Sequence, residues 1–501
     1  MNHRKRQGFV RTVMALVASL ALQTCSLSPA DLSATDPFVS TWDDMAPFDD
    51  GLLDSGETAG QAGATIYHID LMVSPELNVV EGRQWIRYTN REAGELDDVY
   101  FRLFANVTGS RTTVSALSAA GTAVQPILEA ADSALRVPLP EPLQPGESIN
   151  VQMDFRVELN QETDRAYGVL GHFDDYLLLD GFYPVVPVFD DGGWSIEDLV
   201  PIGDATYLDA SFYLVRITVP RDLVLVASGS EIERDRSGAN QIVTFAAGPA
   251  RDFFLAGHPD FEVVDDQVGG TVVRSYGRPS DRPGTELALQ FASDSLALFT
   301  DRLGSYPYAE FDVIGAPIRS LGIEYPGTTA ISVAMYDLDS VVADLPAPIM
   351  LEGTVVHEVA HQWFYNVVGN DQLDEPWLDE ALAQYLTGWY YRETYGDQAE
   401  QEYRESWTAR WDRIDREPIP IGRPTRAYTA ETYSPIVYGR GPLFLAVLEE
   451  LMGRDDFAGF LRDYYETNRW SIATGASFRA LAEQHCRCDL GPIFADWVAG
   501  A

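Results

Sequence analysis

The sequence predicts an α+β multidomain protein in which an all-β domain precedes a mixed α/β domain. The chain has 501 residues, and since single cores stop growing at about 250 to 300 residues, two or three domains are expected. Apolar and polar residues alternate from about 61 to 275, whereas apolar residues spaced three and four apart dominate from 276 to 501. The first pattern is typical of strands and the second of helices.

The N-terminus predicts an export signal. A basic start is followed by the apolar run 13–22, which is too short to span a bilayer comfortably. We therefore expect residues 1–24 to be a signal peptide. Leu22-Gln23-Thr24-Cys25 resembles a bacterial lipoprotein box, so we expect an extracytoplasmic protein with a lipid anchor at Cys25, and free secretion is the alternative.

Residues 25–60 are predicted to be a flexible acidic tether. They are rich in Ser, Thr, Asp, Gly and Pro and contain few large apolar side chains. Such a segment buries too little apolar surface to offset the entropy of ordering it.

The β domain is assigned to residues 61–275. Residues 67–71 and 212–219 alternate, and Pro220 and Asn90 stand where runs end. This pattern predicts a sandwich or a saddle-shaped sheet.

The second domain is assigned to residues 276–501. Residues 286–303 have helical spacing, and residues 311–332 return briefly to strand. A helix is expected to begin after Pro348 and to end near Gly369, and a second is expected to run from Pro376 to about Tyr395.

The first of these two helices carries the pattern typical of a metal site. His357 and His361 are four residues apart, so a helix places both imidazoles on one face. Zinc suits two neutral imidazoles and a carboxylate, with the fourth position left open for chemistry. Glu380, early on the second helix, is the candidate third ligand. The alternative is a pair of buried histidines that are hydrogen-bonded in the core, which would leave Glu358 as a costly buried charge.

Four sequence motifs, counting the histidine pair, extend the predicted metal site to other parts of the chain. Eighteen residues separate His361 in HEVAHQW from Glu380, the stretch Gly322-Ile323-Glu324 lies upstream, and Tyr438 lies downstream in VYGRG. The sequence resembles the gluzincin zinc aminopeptidases of the aminopeptidase N and leukotriene hydrolase type, from about residue 61 to the C-terminus.

The resemblance implies a thermolysin-like catalytic domain and a role for each motif. His357, His361 and Glu380 would bind one Zn²⁺, and Glu358 would be the general base. Glu324 would bind the free α-amine of a peptide, with the backbone at Gly322 and Ile323 pairing with the substrate. Tyr438 would stabilise the oxyanion.

Departures from the family are few. Tyr325, Asp379, Ala381 and Arg440 stand where Asn, Asn, Gly and Lys are usual. The second amine-binding residue that many relatives supply from the first domain cannot be placed. Only 63 residues follow Tyr438 (501 − 438), so no large C-terminal helical superhelix is expected, and the cleft is expected to be more open.

The net charge of the chain restricts the kinds of molecule that it can bind. The net charge of −41 excludes a nucleic-acid partner, because phosphate binding needs a positive surface, and it favours substrates with a free amino group. Membrane association is expected only through Cys25. The sequence does not indicate the oligomeric state.

Cys486 and Cys488 lack nearby ligands for a metal cluster, so a local disulfide or a pair of inert thiols is expected.

The function predicted is therefore that of an exported zinc metallopeptidase that removes N-terminal residues from peptides. An endopeptidase or other gluzincin hydrolase with an open cleft is the second hypothesis. A surface binding protein with a structural metal site is the third, although a structural site closes its fourth position and needs no base such as Glu358.

Overall fold

The computed structural model describes residues 42–54, 56–162, 168–204 and 206–500. The predicted signal peptide 1–24 and Cys25 lie outside the described residues. Strands fill most of the first half of the chain, as alternation predicted. They are β1 Ile66–Val73, β2 Val79–Thr89, β3 Leu96–Arg102, β4 Arg111–Ala119, β5 Thr122–Ala123, β6 Ile127–Glu129, β7 Ala134–Leu143, β8 Ser148–Glu158, β9 Leu170–Phe173, β10 Tyr176–Leu179, β11 Phe189–Asp190, β12 Gly193–Trp194, β13 Ser211–Pro220, β14 Val224–Ala227, β15 Ser230–Ser237, β16 Asn240–Ala250, β17 Leu255–His258, β18 Glu262–Val268 and β19 Thr271–Gly277.

Eight of these strands form one large sheet, and most of the others form smaller sheets. The eight-stranded sheet has the order β15-β16-β13-β1-β2-β8-β4-β5, a four-stranded sheet has the order β14-β17-β10-β9, and a three-stranded sheet has the order β3-β7-β6. Strand β1 pairs parallel with β13 and antiparallel with β2. Alternate side chains from these strands form one apolar core, including Ile69, Ile86 and Val215. The all-β prediction for this part of the chain is confirmed.

A five-stranded sheet, called here the second sheet, contains strands from both sides of the predicted domain boundary at residue 275. Its order is β18-β19-β20-β22-β21, with β20 Glu310–Ala316, β21 Gly322–Tyr325 and β22 Thr328–Ser332. The hairpin β18–β19 pairs with β20, so the predicted boundary at 275 is about one hairpin too late. Alternation marks a strand but does not say which sheet it joins. A short hairpin, β23 Val341–Val342 and β24 Leu345–Pro346, follows.

Helices fill the rest of the second domain. Two short helices, Ala46–Asp49 and Gly56–Ala59, precede β1. The second domain has longer helices at Arg282–Leu303, Ala347–Ala360, Trp377–Tyr395, Asp397–Asp412, Gly441–Met452, Arg454–Asn468 and Gly475–Cys486 and short ones at Tyr433–Pro435 and Gly491–Phe494. Their apolar faces share one core with the second sheet. Cys486 and Cys488 form a disulfide. Within the described ranges, no helix has the length and apolar character needed to cross a bilayer.

The helix Ala347–Ala360, called here the first ligand helix, begins where predicted but ends early. The expected end near Gly369 is wrong, since His361 is already the C-terminal cap. Tyr365 has φ of +119°, which no helix continues through. His361 keeps helical dihedral angles of −63° and −16°, so the two histidines still share one face. The second ligand helix, Trp377–Tyr395, follows the prediction closely.

The segment before β1 is folded against the rest of the protein. Leu53 N–H donates to the carbonyl of Pro307, and Ala309 N–H donates to the carbonyl of Gly51. Glu57 pairs with Arg469. The prediction of a flexible tether is therefore wrong for the described residues between 42 and 60. Its contacts are with residues far along the chain, which local composition does not reveal.

One buried arginine links the β region to the catalytic region. The guanidinium of Arg251 donates to the backbone carbonyls of Leu208, Tyr365, Val367 and Ser471 at 2.7 to 3.0 Å. Burying the Arg251 guanidinium without these hydrogen bonds would cost several kcal/mol, because each unsatisfied polar group costs about 1 to 3 kcal/mol. Arg251 therefore fixes the two regions against each other at the loop that follows His361.

Candidate metal centre and active site

Three side chains from the two ligand helices converge on one point. The Nε2 atoms of His357 and His361 lie 3.1 Å apart. Glu380 Oε2 lies 3.1 Å from the first and 3.4 Å from the second. All three side chains are buried. The structure thus brings together the three metal ligands that the sequence predicted.

The protonation of these groups favours a bound cation. His361 Nδ1 lies 3.1 Å from the carbonyl of Phe364, so Nδ1 carries the proton and Nε2 presents a lone pair. His357 Nε2 and Glu380 Oε2 lie 3.1 Å and 3.4 Å from that nitrogen. Ligands at about 2.0 to 2.1 Å from zinc in a tetrahedral arrangement lie about 3.3 Å from one another. The donor set and its spacing therefore fit Zn²⁺.

The lowered pKa of Glu380 agrees with a role for its carboxylate as a metal ligand. Burial alone would raise the pKa of Glu380, but the imidazoles of His357 and His361 beside its carboxyl group hold this pKa well below its usual range. Behind it, Asp379 accepts from Asn370 Nδ2 at 3.1 Å and from Gln372 Nε2 at 2.7 Å. Asp379 thus anchors the start of the second ligand helix although the family usually has Asn there.

Glu358 is buried between the first ligand helix and β21. Its Oε2 has no hydrogen-bond partner among the described residues. A side chain at Gly322 would overlap Glu358 Oε1, so only glycine lets the strand approach this carboxyl group. Burial, with Glu324 nearby, raises the pKa of Glu358 well above its usual value. Glu358 is free to accept a proton from a molecule in the cleft.

Strand β21 is the edge of its sheet and pairs only with β22 in the described chain. Its outer edge, at Gly322 and Ile323, is open for pairing with an extended peptide. Glu324 is 7% exposed and accepts from Gln372 Nε2 at 3.1 Å. Gln362, directly after His361, accepts from Gly327 N–H and donates to the carbonyl of Tyr325. Gln362 therefore holds β21 next to His361, one of the three candidate metal ligands.

Tyr438 reaches the metal site from the opposite side. It lies on a single π-turn, Ile436–Arg440, a distortion that is frequent at functional sites. Its hydroxyl donates to Glu380 Oε1, and its ring centroid lies 6.0 Å from that of His357. The predicted site residues thus all meet in one place.

The sequence analysis missed acids that the β region contributes to the same cleft. Asp180 follows β10, and burial together with Glu324 raises its pKa to about 7. Asp204 is hydrogen-bonded to Glu380. Each lies far from the metal ligands in sequence and outside any short motif. Asp180 is thus an acid of the β region that lies near Glu324 and that the sequence analysis did not identify.

Comparison with known proteins agrees with this site. Residues 287–497 match the Peptidase family M1 domain, which confirms the predicted resemblance. A variant of the M1 zinc metallopeptidase of Deinococcus radiodurans has the same fold, with a TM-score of 0.65 and 20% identity over 87% of this chain and 95% of that one. A structure of that protein's variant with a Tyr-Ser-Ala substrate matches with a TM-score of 0.60 and 20% identity, over 85% and 93%.

Curated relatives match over shorter spans. The probable aminopeptidase 2 of Sulfurisphaera tokodaii is 24% identical over 60% of this chain and 40% of its own length. Aminopeptidase 2 of Candida albicans is 24% identical over 54% of this chain and 31% of its own length. The matched region thus spans less than half of these relatives.

Proposed function

We propose that this protein is a zinc-dependent aminopeptidase that releases N-terminal residues from peptides. One observation carries the proposal: ligand atoms of Glu324, Glu358 and His361 lie within 4.8 Å of one another. In a peptide the α-amine and the carbonyl carbon of the first residue are only two bonds apart, at about 1.5 Å per bond. An amine-binding acid must therefore adjoin the metal and the base, as Glu324 does.

The roles of the chain's own groups follow from their positions. His357, His361 and Glu380 would hold zinc, which when bound supplies a Lewis acid that polarises a carbonyl and lowers the pKa of water to about 7. Glu358 Oε2 accepts a proton from the attacking water and later delivers it to the departing amine.

The remaining groups position the substrate and stabilise charge. Glu324 and Asp180 bind the α-ammonium, and the open edge of β21 orients the peptide backbone. The hydroxyl of Tyr438 donates to the oxyanion that develops on the scissile carbonyl, an interaction typically worth 10² to 10³ in rate.

The names of similar proteins support this proposal. The relatives from Sulfurisphaera tokodaii and Candida albicans are called aminopeptidases, and the matching structures are those of a zinc metallopeptidase. One of those structures contains a Tyr-Ser-Ala substrate.

A matched pair of peptides tests the proposal. The same sequence is offered with a free N-terminus and with an acetylated N-terminus, and release of the first residue is measured. We expect cleavage of the free peptide only, because acetylation removes the charge that Glu324 binds. Equal cleavage at internal bonds of both peptides would favour the endopeptidase alternative. Zinc binding without any hydrolysis would favour the binding-protein alternative.

We further propose that the protein is exported and held at the cell surface through Cys25. The basic start and the apolar run 13–22 support a signal peptide. Mass analysis of the purified N-terminus tests this proposal, since a lipid on Cys25 is the expected result. An intact Met1 would contradict export by this route.

A further inference from the structure

The positions of two acids along β21 set the direction in which a peptide runs through the cleft. The carboxyl group of Glu358 lies against Gly322, at the start of β21. Glu324, which binds the α-amine in the proposed function, follows two residues later on the same strand. The amine therefore lies toward the end of β21, and the bond to be cleaved lies toward its start. A bound peptide thus runs antiparallel to β21, from Glu324 toward Gly322 and beyond.

Beyond the cleaved bond, such a peptide follows the segment 318–321, which precedes β21. The N–H of Ser332 donates to the carbonyl of Leu321 at 2.9 Å, so the pairing of β21 with β22 continues for one more residue. The Ser332 hydroxyl donates to the carbonyl of Ile318 at 3.2 Å. These two bonds hold the segment beside the end of β22. Leu321 is 40% exposed, so the segment is accessible along this path.

Arg319 in this segment is a cation without a partner in the protein. Its side chain is exposed and forms no ion pair or hydrogen bond with any residue that the structure describes. Other arginines of this chain, whose net charge is −41, pair with carboxylates, as Arg274 does with Glu310 at 2.9 Å. The guanidinium of Arg319 is therefore available to a ligand.

The residue after Arg319 has a second polar group without a partner. Ser320 Oγ is buried, and it makes no hydrogen bond to any part of the described chain. Buried hydroxyl groups are normally paired with protein, water or a ligand. A guanidinium and a hydroxyl group, both able to donate hydrogen bonds, thus border the same short stretch of the peptide's path.

These two groups together suit a carboxylate. A guanidinium has a planar fork of N–H donors that matches the two oxygens of a carboxylate, and a hydroxyl group adds one further donor. Paired strands advance together by about 3.3 Å per residue. With the first residue of the peptide beside Ile323, its third residue lies beside Leu321, within reach of the long Arg319 side chain. A carboxylate at this point belongs either to the C-terminus of a tripeptide or to an acidic third residue.

We infer that Arg319 and Ser320 bind a carboxylate on the third residue of the substrate, so that the enzyme prefers peptides with a negative charge at that residue. The inference rests on the proposed aminopeptidase function and adds a substrate class to it. Arg319 determines specificity and takes no part in cleaving the bond.

The test offers three tripeptides to the zinc-loaded enzyme and measures release of the first alanine. They are trialanine with a free C-terminus, trialanine amide, and Ala-Ala-Glu amide. We expect kcat/KM for at least one charged peptide to exceed that for trialanine amide by about three- to tenfold, the range for an ion pair at the surface with one added hydrogen bond. High salt should reduce this difference, because it screens exposed charges. Preference for the free acid identifies the C-terminus as the source of the carboxylate, and preference for Ala-Ala-Glu amide identifies the acidic side chain.

Variants of the two residues separate binding from catalysis. Arg319→Ala should abolish the preference, whereas hydrolysis of a fluorogenic alanine amide, which has no third residue, should not change. Arg319→Lys should restore part of the preference, since it keeps the charge but loses the planar fork. Ser320→Ala should weaken the preference less than Arg319→Ala does. Arg221→Ala, at an exposed arginine in the turn between β13 and β14, is the matched control and should leave every rate unchanged.

Two results would overturn the inference and leave the aminopeptidase function intact. One is equal kcat/KM for the three tripeptides with the unmodified enzyme, and the other is an unchanged preference in Arg319→Ala. Failure to release alanine from any tripeptide or from the fluorogenic amide would instead overturn the proposed function.

Discussion

Glu358 is adjacent in sequence to a metal ligand, yet its carboxyl group points into the cleft. Its Oε2 is buried without a partner in the described residues, whereas the ligand atoms of His357 and Glu380 face each other. In this position Glu358 can transfer a proton, but it is not one of the three candidate metal ligands. The two functions can therefore be separated by one substitution.

The first prediction concerns that substitution. Glu358→Gln keeps the size of the side chain and removes its basicity, so kcat should fall by at least about 10² to 10⁴. Bound zinc, measured by elemental analysis, should stay at one ion per chain. Normal turnover in this variant would contradict the general-base assignment, and loss of zinc would show that Glu358 supports the ligands instead.

At the scale of elements, the approach of β21 to the first ligand helix sets the geometry of the site. The strand lies so close that a Cβ at Gly322 would overlap the Glu358 carboxyl group. The second prediction is that Gly322→Ala displaces this group and lowers kcat/KM by about 100-fold, the cost of a misplacement near 1 Å.

A glycine in an open position provides the control for that variant. Gly94 has no atom within 4 Å of where its side chain would stand, so Gly94→Ala should keep full activity. Zinc content should stay the same in both variants. Unchanged kinetics in Gly322→Ala would show that the strand moves freely and does not position the base.

The third prediction concerns β20, where Asp312 is buried and its Oδ1 lies 3.6 Å from Arg274, beyond hydrogen-bonding distance. Burial raises the pKa of Asp312 to about 8, while unfolding returns it to about 3.9. The folded state therefore binds this proton more tightly. Its contribution to stability is fully present below about pH 4 and is lost as the pH rises to about 8, by at most roughly 1.4 kcal/mol per pH unit.

Asp312→Asn removes this titration and leaves Arg274 paired with Glu310 at 2.9 Å. Thermal unfolding at pH 5, 6.5 and 8 compares the two proteins. The melting temperature of the unmodified protein should fall relative to that of the variant as the pH rises. A constant difference across this range would contradict the raised pKa.

At the scale of the whole molecule, the sequence predicted what short-range patterns encode. The histidine pair, the second ligand helix and the order of an all-β region before a helical region were all predicted correctly. Each depends on residues a few positions apart, where helix and strand periodicity is decisive. Glu380 is not close to the histidines in sequence, and it was identified as a candidate ligand through the motif spacing and the family resemblance.

Features that depend on distant contacts were not predictable. The segment 42–60 is ordered by residues such as Arg469, and β18–β19 joins a sheet whose other strands come later. Asp180 comes near Glu324, which lies far along the chain, only through the packing of the β region against the second domain. One sequence without relatives gives no signal for such pairings. The early end of the first ligand helix was missed because its cause is a local turn at Tyr365 that composition does not mark.

Among the described residues, the candidate metal site lies between a β region that supplies neighbouring acids and a helical region that supplies the three candidate ligands. The most direct measurement is zinc content together with hydrolysis of an alanine amide, before chelation, after chelation and after zinc is returned. We expect one ion per chain, no activity in the metal-free protein, and recovery at one equivalent of zinc. In Glu380→Gln, zinc affinity should fall at least tenfold, since one of three ligands loses its charge. Full activity in the metal-free protein would contradict the account.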